Sequence, residues 1–140
     1  MNSMFQCCEN LIELNLSKFI TNKVTDMDYM FNQCKNLKNL NISSFNTDNV
    51  TNMIVMFANC ENLIELNLSK FNTNKVTDMS YMFYKSKNLK NLNLSSFNTN
   101  NVTKITGIFN DCSKKLYYDN RTKFVKFIYN DLVKEYTGNN

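Results

Sequence analysis

The chain has no histidine, no proline and no tryptophan, and only two glycines among its 140 residues. Each absence closes off a class of function. Without histidine, neither a Ser-His-Asp nor a Cys-His nucleophile pair can be assembled. Two glycines cannot supply a G-x-G-x-x-G or phosphate-cradling loop. No apolar run approaches the roughly 18 residues that cross a bilayer, so no membrane span is expected. The opening MNSMFQCC has neither the basic start nor the apolar stretch of a signal peptide. Charge is also scarce. The net value is +4, and six Lys/Arg against three Asp/Glu between Lys114 and Glu135 account for most of it. With no basic stripe to follow a phosphate backbone, no nucleic-acid partner is expected. These gaps point to a protein that is not an enzyme and carries no cofactor or metal.

What the chain does have is a repeat. CENLIELNLSKFNTNKVTDMSYMFYK, Cys60 to Lys85, recurs with a period of 26 residues, in units beginning at Cys8, Cys34, Cys60 and Ser86, with a fifth start at Cys112. Residues 1–8 align with Met27 to Cys34, so the chain opens inside a unit, as a truncated array does. In the third unit Leu66 and Leu68 alternate, which predicts a short strand. Val76, Met79, Met82 and Phe83 then recur at helical spacing and predict a short helix. Thr25, Thr51, Thr77 and Thr103 are placed to cap that helix, with Asp26 and Asp78 in its first turn. One such unit cannot bury its own apolar stripe, so the units must stack into a solenoid. Asparagine takes the place of glycine and proline in the turns, because it tolerates left-handed backbone and bonds its own main chain. Ile105, Gly107 and Ile108, replacing Met, Tyr and Met, suggest a looser fourth unit.

Past the repeats, Leu116–Tyr118 reads as a last strand. Phe124, Phe127, Ile128, Leu132 and Tyr136 share one face of an expected helix, capped by Asn120 or Thr122. The predicted organisation is a partial repeat over 1–7, four repeats over 8–111, and a C-terminal strand and helical cap over 112–140.

The cysteines occupy one column, Cys8, Cys34, Cys60 and Cys112, with Ser86 standing in and Cys7 as an extra. Spread along a line, they do not converge as zinc ligands must. Disulfides between neighbouring units are sterically conceivable. The interchange with Ser86 favours small, buried, free thiols. A second column, Glu9, Lys35, Glu61, Lys87, alternates in sign and would fix register between units.

L-x-x-L-x-L followed by a return segment, as in NLKNLNISSFNTDNVTNMIVMF from Asn36 to Phe57, resembles the leucine-rich repeat signature. The fuller pattern is similar to the BspA-like branch of bacterial and protist surface proteins. The resemblance implies an α/β solenoid of about four and a half strand-turn-helix units with a parallel sheet and a helical cap. It also implies a non-enzymatic protein-interaction module of a cell-surface or secreted, adhesion-type protein. The rivals are a structural spacer in a longer array and an intracellular recruitment scaffold. Where most such repeats place an asparagine after the strand, this chain has Phe19, Phe45, Phe71 and Phe97, which predicts a stacked phenyl spine there. Thr21, Thr47, Thr73 and Thr99 are then free to bond the turn backbone.

The outward strand positions form the expected binding face. They are Ile12, Lys38, Ile64 and Lys90, then Glu13, Asn39, Glu65 and Asn91, then Asn15, Asn41, Asn67 and Asn93. A protein partner is expected there, although the face lacks the Trp, Tyr and Arg anchors of a binding hot spot. The first unit's apolar side, Leu11, Leu14 and Leu16 with Met4 and Phe5, has no preceding unit. A homodimer through that N-terminal edge is expected in consequence.

Overall fold

The structure, a computed structural model, describes residues 1–114 and 116–118. Five strands follow one another in the chain: β1 (Glu13–Asn15), β2 (Asn39–Asn41), β3 (Glu65–Asn67), β4 (Asn91–Asn93) and β5 (Tyr117–Tyr118). All pairings are parallel and one unit apart: Leu14 faces Leu40, Leu66 faces Leu92, and Leu92 faces Tyr118. Each unit is therefore one rung of a stack. Leu66 and Leu92 are buried, while Glu65, Asn67 and Asn91 on either side are exposed, as the alternation predicts. Residues 1–8 form a rung of their own on the first unit. Ser3, Phe5 and Cys7 donate their N–H groups to the carbonyls of Asp28, Met30 and Asn32.

The predicted helix is absent: among the described residues no helix occurs. Its place is taken by a run of overlapping turns whose bonding alternates. The N–H groups of Met27, Tyr29, Phe31 and Gln33 cross to Asn52, Ile54, Met56 and Ala58 of the next rung, at 2.9–3.2 Å. Those of Met30, Asn32 and Cys34 fold back three residues within their own rung. Tyr29 and Gln33 have positive φ (54° and 62°), as do Val55, Asn59, Tyr81, Lys85, Gly107 and Asp111 in the later rungs, and left-handed residues interrupt a helix. A segment this short gains little from helical bonding alone, since nucleation is costly. The neighbouring rung offers carbonyls in register instead. The apolar spacing read as one helix face does point inward, and Met27, Met30, Phe31 and Cys34 are fully buried.

The threonines expected to cap that helix form a ladder. Thr51, Thr77 and Thr103 each donate backbone N–H to the threonine carbonyl of the preceding rung. Next to them Asp26, Asn52, Asp78 and Lys104 make parallel bridges from rung to rung. The fourth rung is not loose either. Tyr81, Phe83 and Lys85 bond across to Thr106, Ile108 and Asn110 at 2.8–3.0 Å. Gly107 occupies a left-handed position (φ 60°) where the Tyr81 ring lies so close that a Cβ would come within 2.5 Å of it.

The tightest phenyl spine is a different column from the one expected. Phe5, Phe31, Phe57, Phe83 and Phe109 stack with centroids 5.6, 5.5, 5.8 and 5.3 Å apart and planes within 10° of parallel. Of the expected column, Phe45 and Phe71 stack at 6.4 Å. Phe45, Phe71 and Phe97 are buried, whereas Phe19 is 38% exposed. The predicted strand after Cys112 is present as β5. The expected helical cap falls outside the described residues.

Side chains stitch the rungs together. The Thr21 hydroxyl donates to Asn46 O and accepts from Asn46 N, both at 2.8 Å, and Thr73 does the same with Asn98. These threonines bond the next rung rather than their own turn. The cysteine column works alike: Cys34, Cys60 and Cys112 donate S–H, and Ser86 its O–H, to the carbonyls of Phe5, Phe31, Phe83 and Phe57. This shared bond explains why serine can stand in for cysteine. All five cysteines are free. Burial pushes the Cys34 thiol up to about 12 and the Cys112 thiol up to about 11, and it raises Cys60 too, so these are poor nucleophiles.

Candidate functional site

The outward faces of β1 to β4 line a concave groove of about 1060 Å³. A period of 26 residues puts equivalent side chains in columns along it, one per rung. Of the residues expected on the binding face, Glu13, Asn15, Lys38, Asn39, Asn41, Glu65, Asn67, Asn91 and Asn93 line the groove. Ile12, Ile64 and Lys90 do not, although all three are exposed. Leu14, Leu40, Leu66 and Leu92 complete the lining. Leu66 and Leu92 are buried core residues, and Leu14 and Leu40 are partly buried against the same core, so they form the floor of the groove.

The asparagine column is held in a fixed orientation. The Oδ1 atoms of Asn15, Asn41, Asn67 and Asn93 accept the N–H of Ser17, Ser43, Ser69 and Ser95 at 3.0–3.1 Å. These are Asx turns, so the recurring Asn-x-Ser is a backbone device. With Oδ1 committed, each amide has its two N–H donors left to offer. Beside them Asn39 donates to Glu13 Oε1 at 2.8 Å. The groove thus presents a row of donors next to the carboxylates of Glu13 and Glu65.

Rungs one and two, and rungs three and four, are joined more closely than rungs two and three. β1 pairs with β2, β3 with β4 and β4 with β5, but no ladder joins β2 to β3. The Lys35–Glu9 and Lys87–Glu61 ion pairs, at 2.8 and 2.9 Å, fall within those pairs of rungs. They are solvent-exposed and contribute little stability; their effect is on register.

Outside the groove, Asp28 is the titratable group with consequences. It is 8% exposed and accepts from Ile54 N and the Asn52 amide. Burial, and then the neighbouring Asp26, raise its pKa from 3.8 to about 6. The folded state therefore holds this proton more tightly than the unfolded chain. Asp28 contributes most to stability below pH 4, and that contribution is lost as pH rises through 6. Asp28→Asn should flatten this slope and leave the protein about 1 kcal/mol more stable at pH 7, one lost acceptor offsetting part of the gain. Urea unfolding at pH 4 and pH 7 checks it; an unchanged slope in the variant would place the proton elsewhere.

Among the described residues no group of three or more Cys, Asp or Glu is placed to hold a metal ion, and no helix is long and apolar enough to cross a membrane. No curated protein and no solved structure matches the chain. One family does match, over residues 1–121, and it covers the opening rung, all four units and the last strand. By that match the chain belongs to the family described as "Mycoplasma protein of unknown function, DUF285".

Proposed function

We propose that this chain is a non-enzymatic interaction module of the leucine-rich repeat, BspA-like kind, and that it binds a protein partner along the strand-face groove. The observation that carries this reading is the fixed row of asparagine donors beside Glu13 and Glu65, held by Asx turns and with no protein acceptor among the described residues. The resemblance to surface repeats supports a cell-surface or secreted, adhesion-type setting. A structural spacer is favoured instead by one feature of the same groove, its lack of the Trp, Tyr and Arg anchors that dominate binding energy. Self-association at the N-terminal edge belongs to the same proposal, resting on Met4 (51% exposed), since Leu16 is buried and Phe5, Leu11 and Leu14 pack against the core. Light scattering over a concentration series reads that contact directly.

The test of the groove uses two positions, Glu65 and Asn91, whose side chains hold no hydrogen bond among the described residues. The double variant Glu65→Arg, Asn91→Arg puts two long cations into it, while Asn22→Arg alters an exposed turn elsewhere. A matrix or cell-surface protein captured by the native chain and by Asn22→Arg, but released by the double variant, is the expected result. Capture that survives the double variant would move binding off this face, and no capture at all would favour the spacer.

A further inference from the structure

We propose that the stack is jointed at the strand face between its second and third rungs, with Lys70 holding the joint open and so setting the width of the groove. Several independent contacts alternate along the chain in the same phase. In the second rung Ser44 Oγ lies 3.0 and 3.1 Å from Leu16 O and Phe19 O of the first. In the fourth, Ser96 Oγ lies 3.0 and 2.7 Å from Leu68 O and Phe71 O of the third. These serines are clips from one rung to the one before. The equivalent residue in the third rung is Lys70, which has no short hydroxyl to reach Ile42 O and Phe45 O of the second.

Other contacts repeat the pattern. Asn49 and Asn101 clip to Asn22 O and Asn74 O, whereas Lys75, between them in the column, reaches only the Asn49 side chain. Thr21 and Thr73 each hold both polar atoms of the next rung's backbone, while Thr47 holds only Asn72 O. The ladder bonds respond accordingly. Leu16 N to Asn41 O and Lys38 N to Ile12 O recur as Leu68 N to Asn93 O and Lys90 N to Ile64 O. Among the described residues, the counterparts from Ile42 N and Ile64 N, which would join the second and third rungs, do not form.

The opposite side of the stack does not open. Phe31 and Phe57 stay stacked at 5.5 Å, and the Asp26–Asn52–Asp78 bridges run straight through. A wall continuous on one side and, on the other, held ahead of β3 by Asn62 N to Lys35 O at 3.1 Å with no ladder between β2 and β3 is a hinge. It lies in the middle of the groove, so its opening changes the distance between the Glu13–Asn39 half and the Glu65–Asn91 half. The hinge bears on the proposed binding function but does not depend on it, because it can be read without any partner.

Amide hydrogen exchange on the partner-free chain tests it. In the native protein Ile42 and Ile64 should exchange faster than Leu16, Lys38, Leu68 and Lys90, which hold ladder bonds. Lys70→Ser supplies the missing clip, and should slow Ile42 and Ile64 by roughly fivefold to tenfold, the factor expected of one or two added hydrogen bonds. Ser96→Lys removes a clip from the closed junction, and should speed Leu68 and Lys90 by a similar factor while leaving Leu16 and Lys38 unchanged. Equal protection at both junctions in the native protein would overturn the joint. Lack of response to both substitutions would overturn the role given to Lys70.

Discussion

Phe57→Ala loses about 3–5 kcal/mol of stability, the range for emptying a fully buried phenyl site. The ring has no exposed surface and lies between Phe31 at 5.5 Å and Phe83 at 5.8 Å. Its removal takes away its own burial and two stacked ring contacts, each of which adds about 0.5–1.5 kcal/mol. The void cannot close by local collapse, because the rungs above and below are held at a fixed spacing by the crossing backbone bonds. In a stack whose stability is a sum over neighbouring rungs, the damage falls on both interfaces of one rung. Phe19→Ala is the control: that ring is 38% exposed and should lose about 1 kcal/mol or less. Urea midpoints at unchanged m-value measure both. Should the alanine variant not fold, Phe57→Leu gives a smaller loss in the same direction. Equal losses at Phe57 and Phe19 would mean that the spine is not the core.

Thr73→Val loses about 2–4 kcal/mol although it changes neither size nor shape, because two backbone groups of Asn98 lose their partner together. The Thr73 hydroxyl is fully buried, donates to Asn98 O and accepts from Asn98 N, both at 2.8 Å. Valine can do neither. Thr73→Ser keeps both bonds and should stay within about 1 kcal/mol of the native protein. Thr47 holds only one such bond, to Asn72 O, so Thr47→Val should lose less than Thr73→Val. Equal losses at the two sites would weaken the distinction between the closed and open junctions.

Most of the stack was legible because a strict period turns every sequence position into a column. The strands, the Leu66 and Leu92 core positions, the Glu9–Lys35 pairing and the equivalence of Ser86 with the cysteines all follow from the 26-residue register. The helix was misread for a physical reason. Apolar residues at Met27, Met30, Phe31 and Cys34 face one way in a helix, and they also do so in overlapping turns. Only the left-handed positions separate the two, and Asn59, Gly107 and Asp111 were their faint signal, obscured by Tyr29, Val55 and Tyr81 in the same columns. The groove residues could be placed in columns, and the leucines between them, Leu66 and Leu92, are buried as strand alternation requires. The joint was written in the sequence as Ser44, Lys70, Ser96. It was not readable there, because nothing in the sequence says which carbonyls a serine at that position reaches.

The decisive measurement is through-hydrogen-bond NMR coupling on the segment from Val76 to Phe83 and its counterparts. Stacked rungs require coupling from Phe57 N to the carbonyl carbon of Met82, and from Phe83 N to that of Ile108, each pair about one repeat apart in sequence. An α-helix would instead couple Phe83 N to the carbonyl carbon of Met79, four residues back. The first pattern is the predicted one, and observing the second would contradict the rung architecture, and with it the groove and the joint built on it.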